Sequence, residues 1–236
     1  MRLLLLSNST NAGEGYLAWP EPHIRAFLGE GPKRIFFVPF AGLRASWDDY
    51  AQRVRERFSA MGHALEAAQE TRTPLALAAE AEVLVVGGGN SFQLMKELHE
   101  TGLAPLIRER VRAGIPYVGW SAGSNVACPT IRTTNDMPVV EPPSLSAMGL
   151  VPFQINPHFT DAHPPGHAGE TRTERLLEFL EANPAATVVG LPEGTALRRE
   201  EERLSLIGSK PARLFRKGLA PRDLWPDEDL SFLLDS

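Results

Sequence analysis

The amino-acid sequence predicts an α/β protein: a doubly wound, mostly parallel sheet flanked by helices. Three observations carry this expectation. Short β-branched or leucine-rich runs ending in turn residues recur along the chain, segments with helical spacing of apolar residues lie between them, and four of the runs end in small or polar residues. In chain order the strands are read at Leu3–Ser7, Arg34–Val38, Val83–Val86, Tyr117–Trp120, Val151–Ile155 and Thr187–Gly190. The helices are read at Trp47–Met61, Asn90–His99, Pro105–Ala113 and Thr171–Leu180, each about the length a crossover needs. Residues 129–170, rich in proline and polar residues, read as a functional loop region. Further on, strands at Thr195–Leu197 and Leu204–Ile207 flank the charge run Arg198–Arg203, which reads as a solvated hairpin turn. After Gly218 the tail is expected to lie irregularly on the surface, completing a single domain over 1–236 whose C-terminal hairpin and tail start at about 195.

Composition bounds the function. With 236 residues, 43% of them hydrophobic and 22% charged, the chain can bury a sizeable core. Its 24 basic residues against 29 acidic ones give a formal charge of −5, which leaves no basic footprint for nucleic acid or an anionic membrane. The apolar run Leu3–Leu6 is too short for a signal segment, and no later stretch approaches the roughly 20 residues of a membrane span. The single cysteine, Cys128, excludes an intramolecular disulfide and fits a reducing cytoplasm. It reads as a buried small hydrophobe rather than a nucleophile.

In such sheets ligands bind beyond the carboxyl ends of the strands. Those ends carry Ser7-Asn8-Ser9-Thr10, Pro39-Phe40-Ala41-Gly42, Gly87-Gly88-Gly89-Asn90 and Ser121-Ala122-Gly123. Gly119-Trp120-Ser121-Ala122-Gly123 has the G-x-S-x-G spacing of a nucleophile elbow, a strand-to-helix turn too crowded for bulky neighbours. Ser121 is therefore the candidate nucleophile, and the Ala122 N–H a candidate oxyanion donor. The glycines of Gly87-Gly88-Gly89 let the backbone approach a ligand closely and make Gly89 the second oxyanion candidate; they lack the spacing of a phosphate loop. Asn90 is either the cap of the next helix or a substrate-binding group.

A serine needs a base. Of six histidines, His63 and His99 lie near helix ends and His23 in an early loop, whereas His158 follows a predicted strand and reaches the rim. A metal site made by His158, His163 and His167 is disfavoured because Pro164 and Pro165 keep them off one helix face and no cysteine supports them. For the acid that holds the imidazole, Glu193 competes with Asp136. Glu193 follows a strand and is rigidly held, so it is preferred; Asp136 lies in a loop and also reads as a turn former.

Taken together these segments resemble the aspartyl dipeptidases of serine peptidase family S51, the peptidase E group. The matching stretches are Leu4–Thr10, Val38–Gly42, Val86–Leu94, Gly119–Asn125, Ala127–Pro138, Gln154–Thr160, Gly166–Arg172 and Gly190–Gly194, in order from residue 1 to about 195. Beyond Gly194 the likeness is looser. The resemblance implies a fold similar to class I glutamine amidotransferases, flavodoxin-like in type. It implies a cytoplasmic exopeptidase, needing no cofactor, that releases N-terminal aspartate from dipeptides. By the same resemblance Ser121 is the nucleophile, His158 the base, Gly89 and Ala122 the oxyanion donors, and either Glu193 or Asp136 the third member. An aspartyl carboxylate calls for a planar, bidentate cation. Arg172, at the start of a predicted helix whose dipole favours an anion, is the first candidate and Arg132 the second. The expected partner is a small Asp-X peptide, with the protein a monomer or homodimer. Two rival functions are a cyanophycinase-like peptidase acting on β-aspartyl linkages and a non-catalytic sensor of an acidic small molecule on the same scaffold.

Overall fold

The computed structural model describes residues 1–162, 166 and 168–235. Its central sheet has seven strands: β1 (Arg2–Leu6), β2 (Arg34–Val38), β3 (Ala64–Ala67), β4 (Val83–Val86), β5 (Tyr117–Trp120), β8 (Ala196–Glu200) and β9 (Arg203–Ile207). They run in the order β3-β2-β4-β5-β1-β8-β9. The first five are parallel, and β8 and β9 close one edge antiparallel.

Alternation along the strands explains both helical layers. Leu3, Leu5, Phe36, Val38, Leu84 and Val86 pack into one core, whereas Leu4, Leu6, Ile35, Phe37, Val83 and Val85 pack into another. A parallel strand covered on both faces must be apolar at every position, so these segments appear in sequence as unbroken hydrophobic runs. Against the first face lie α3 (Pro74–Glu80), α4 (Ser91–Glu100) and α5 (Leu103–Arg112), through residues such as Leu94, Leu98 and Ile107. Against the second lie α1 (Glu21–Leu28) and α2 (Trp47–Ala60), through Ile24, Phe27, Val54 and Phe58.

Several expectations are corrected. The strands expected at Val151–Ile155 and Thr187–Gly190 are β6 (Gln154–Phe159) and β7 (Thr187–Pro192), and they belong to a second sheet of order β11-β10-β7-β6 with β10 (Ala212–Arg216) and β11 (Arg222–Leu224). The tail after Gly218 is thus ordered, supplying β11 and a 3-10 turn whose Leu233 is buried in the same core as Leu3. The charge run is mostly strand: β8 and β9 leave only Glu201 and Glu202 in the turn, and the Arg199 guanidinium is buried, donating to the Leu150 and Glu201 carbonyls. Short segments without a strong period, β3, α1 and α3, were not legible, and His23 lies in α1 rather than in a loop. Among the described residues no helix is long and apolar enough to cross a membrane.

Candidate active site

The strand ends do converge. Asn8, Gly42, Gly89, Ser121, His158 and Glu193 are among the residues lining one cleft of about 1470 Å³ at the carboxyl edge of the parallel strands.

Ser121 sits between β5 and the short helix α6 (Ala122–Asn125) with φ 53 and ψ −113, a conformation non-glycine residues seldom adopt. The crowding that the spacing predicts is measurable. A Cβ on Gly119 would stand 2.5 Å from the Gly123 carbonyl oxygen, and one on Gly123 would stand 2.1 Å from that of Val86. The turn is pinned by Ser121 N–H donating to Leu6 O at 3.0 Å and by the Ser124 hydroxyl donating to the same oxygen at 2.7 Å.

His158 is the bulged residue of β6. Pro157 pairs with Leu191 and Phe159 with Pro192, which leaves His158 unpaired at φ 54 and turns its side chain out of the pleat. Because β6 is an edge strand, Pro157 withholds no needed ladder donor. His158 Nε2 is 2.9 Å from Ser121 Oγ, and its Nδ1 is 2.7 Å from Glu193 Oε1. An ionised carboxylate can only accept, so the proton lies on Nδ1 and Nε2 is left to accept from the serine hydroxyl. Glu193 occupies the turn that leaves β7 for β8, where Lys210 Nζ donates to its carbonyl at 3.1 Å.

Asp136 lines the same cleft but has other work. Its Oδ2 accepts from the Ser91 N–H at 2.7 Å and from the Thr134 hydroxyl at 2.8 Å, so it serves the N-terminus of α4 and its own loop. Asn90 caps the same helix: Oδ1 accepts from the Phe92 and Gln93 N–H groups, and Nδ2 donates to Met137 O. Gly89, at φ +138, is pressed against Ala41, where an added Cβ would lie 2.2 Å from the carbonyl oxygen. Ala122 is the first residue of α6, so its N–H has no partner within that helix.

Arg172 opens α7 (Arg172–Ala182) and lines the cleft, whereas Arg132 is exposed and does not. Two acids beside it in sequence have other partners: Glu170 pairs with Arg175, and Glu174 accepts from the Thr171 backbone and hydroxyl as a capping box. Arg172 Nη1 is buried with no hydrogen-bond partner among the described residues. Burial and the neighbouring Arg175 disfavour its charge, and the fields of Glu193 and Asp136 partly restore it. A guanidinium with an unpartnered nitrogen can donate to a planar anion.

Cys128 is fully buried, donates weakly to Ser124 O and accepts from the Ile155 N–H, and burial pushes its thiol up to about 12. Among the described residues no group of His, Cys, Asp and Glu is arranged to hold a metal; His163 and His167 lie outside those residues. Sequence reasoning missed Ser7, whose buried hydroxyl accepts from His158 N–H at 2.9 Å and donates to Leu191 O at 2.7 Å. Its only signal was a polar residue at a strand end.

Residues 3–207 match the family described as peptidase family S51. The chain is 52% identical over 236 residues to a peptidase E of Streptomyces coelicolor, covering 100% of this chain and 96% of that one. It is 50% identical over 234 residues to a peptidase E of Nostoc sp., covering 99% and 97%. The solved structure of a peptidase from an acI-B1 actinobacterium superposes with a TM-score of 0.72 at 20% identity, over 98% of this chain and 96% of that one, a likeness of fold.

Proposed function

The chain belongs to peptidase family S51 and is a dipeptidase, serine-type by family; from this premise we propose that it releases N-terminal aspartate from Asp-X dipeptides through Ser121, His158 and Glu193. The observation that carries the proposal is the continuous line of hydrogen bonds from Ser121 Oγ through the His158 ring to the Glu193 carboxylate, at 2.9 and 2.7 Å.

Each step follows from these groups. The substrate's side-chain carboxylate binds Arg172, bringing the aspartyl carbonyl over Ser121. Oγ adds to that carbon while its proton passes to His158 Nε2, and the Glu193 carboxylate stabilises the imidazolium. The resulting oxyanion takes hydrogen bonds from the Gly89 and Ala122 N–H groups. Collapse breaks the C–N bond as His158 returns its proton to the departing amine. Water then attacks the aspartyl-enzyme, His158 accepts its proton and restores it to Ser121, and aspartate leaves. Asp136 is assigned to the support of α4 rather than to the imidazole, because its bonded oxygen already accepts from Ser91 and Thr134. A cytoplasmic location belongs to the same proposal and rests on the free, buried thiol of Cys128.

The test is hydrolysis of Asp-X, Asn-X, Ala-X and β-linked Asp-X dipeptides by wild type and Ser121→Ala. Preference for α-linked Asp-X that disappears in Ser121→Ala is the expected result. Selective cleavage of the β-linked series replaces the substrate assignment, and turnover surviving in Ser121→Ala removes the serine mechanism.

A further inference from the structure

We propose that the hydroxyl of Tyr50 is a positioning group for the oxyanion hole, holding the peptide that carries the Gly89 N–H in fixed relation to the Ser121 elbow. The inference rests on the acyl-transfer reading above and adds a residue from a helix that does not touch the reacting atoms.

Tyr50 lies near the start of α2, packed in the same apolar layer as Phe37 and Trp120, and reaches the wall of the cleft. Its hydroxyl neighbours that of Tyr16 and makes hydrogen bonds to two further groups. The Trp120 indole Nε1 donates to it at 3.0 Å, and it donates to Gly88 O at 3.1 Å. The direction of both bonds is forced, since an indole N–H only donates and a carbonyl only accepts. Trp120 immediately precedes the nucleophile, and the Gly88 carbonyl shares its peptide unit with the Gly89 N–H. One buried oxygen therefore ties together the two chain segments from which the oxyanion donors come.

The peptide's geometry converts that tie into aim. In a trans peptide C=O and N–H point in opposite directions, so a Gly88 carbonyl held towards Tyr50 sends the Gly89 N–H the other way. A hydrogen bond to the carbonyl also polarises the unit and strengthens its N–H as a donor. The rings are fixed as well: Phe37 sits edge-on to Tyr50 with centroids 5.4 Å apart and stacks on Trp120 at 6.0 Å. Burial raises the Tyr50 phenol pKa, which keeps the donating proton in place.

The glycine run supports the same reading. A Cβ on Gly87 would stand 2.5 Å from the Tyr50 oxygen, one on Gly88 2.9 Å from Ser121 Cβ, and one on Gly89 2.2 Å from Ala41 O. The three glycines thus admit, in order, the tyrosine, the elbow and the β2 loop. Only the first is explained by Tyr50, and a purely ligand-facing loop has no need of it.

The experiment compares wild type with Tyr50→Phe, which keeps the ring and removes the oxygen. Losing a whole oxyanion donor typically lowers kcat by about 10²–10³, and a donor left in place but loosely aimed is expected to lower it by about tenfold, with KM for Asp-Leu changed less than about twofold. Affinity for aspartyl aldehyde, whose adduct with Ser121 carries the oxyanion, should fall by the same factor. Binding of free aspartate, which needs no oxyanion, should not change. A kcat within about twofold of wild type, or aldehyde and aspartate weakened equally, overturns the proposal. Should Tyr50→Phe fail to fold, Trp120→Phe removes the other end of the tie; it should show the same pattern to a smaller degree, and an unchanged aldehyde affinity overturns the proposed coupling. A Ser121→Ala control separates the two levels. Turnover lost there with Tyr50→Phe unaffected overturns the Tyr50 assignment alone, whereas turnover retained in Ser121→Ala overturns both.

Discussion

Replacing Arg172 by methionine tests the substrate assignment and, at the same time, a claim about stability. The guanidinium is partly buried at the first position of α7, and its Nη1 has no hydrogen-bond partner among the described residues. A hydrogen bond between charged groups contributes about 1.5–3 kcal/mol, which at about 1.4 kcal/mol per factor of ten predicts a loss of about 10- to 150-fold in kcat/KM for Asp-Leu. The carboxylate remote from the reacting carbon is held equally in the ground state and the transition state, so most of the loss should enter KM. Asn-Leu, which offers no charge, should lose far less, and the preference for Asp over Asn should shrink towards unity. Stability should move the other way or stay level. Burial and Arg175 already disfavour the charged form in the folded protein, so a neutral side chain of similar length relieves a cost. Steady-state kinetics on the two dipeptides and a thermal melt suffice. Retention of the Asp preference refutes the pocket, and a fall in Tm of more than a few degrees shows that Arg172 is structural.

Three further outcomes are expected. Glu193→Gln should lower kcat by about 10²–10⁴ with little change in Tm, because the amide no longer stabilises the imidazolium, while Asp136→Asn should lower kcat less than tenfold and remove about 1 kcal/mol of stability from the α4 terminus; the reverse ranking in kinetics and melts reassigns the third member. Gly123→Ala, whose Cβ would lie 2.1 Å from Val86 O, should destabilise the fold by about 3 kcal/mol or more, measured by denaturant unfolding, and a soluble variant of unchanged midpoint contradicts the packing. Cys128 should be inert to an aromatic disulfide reagent until the protein unfolds. Its folded pKa of about 12 against an ordinary 9.0 means the folded state binds the extra proton between those values, so its contribution to stability is complete below pH 9 and declines above it. Cys128→Ala should flatten that alkaline decline.

The central sheet was legible because burial on both faces leaves no polar position in β1, β2 or β4 after the arginines that open the first two, and the elbow because its glycines answer to steric contacts within a few residues. Both signals are local. The second sheet was not legible for the converse reason. Whether β6 and β7 join β1 or pair with β10 depends on the return of the chain from residues 212–216, and nothing within Gln154–Phe159 encodes it. The same limit applies to the site. Ser121, His158 and Glu193 could be nominated from position, since each follows a strand expected from the sequence, whereas Tyr50 and Ser7 contact segments 38 to 184 residues away. The Gly87–Gly89 run was visible, but the partners it makes room for were not.

Those distant contacts explain how two strained residues are kept in register. Ser121 and His158 are two of the four non-glycine residues at positive φ among the described residues, and such conformations cost about 1–3 kcal/mol each unless the surroundings over-determine them. The end of β1 supplies that determination. Leu6 O accepts from the Ser121 N–H, while the next residue, Ser7, accepts from the His158 N–H through its hydroxyl and donates to Leu191 O, two residues before Glu193. The Ser7 N–H in turn donates to Thr195 O, two residues after it. One dipeptide at the carboxyl end of a strand buried on both faces therefore sets the backbone of Ser121 and His158 directly and brackets the turn that carries Glu193. The sheet that predicts the fold also fixes the spacing between nucleophile, base and acid, so a change in the β1 register would displace all three together.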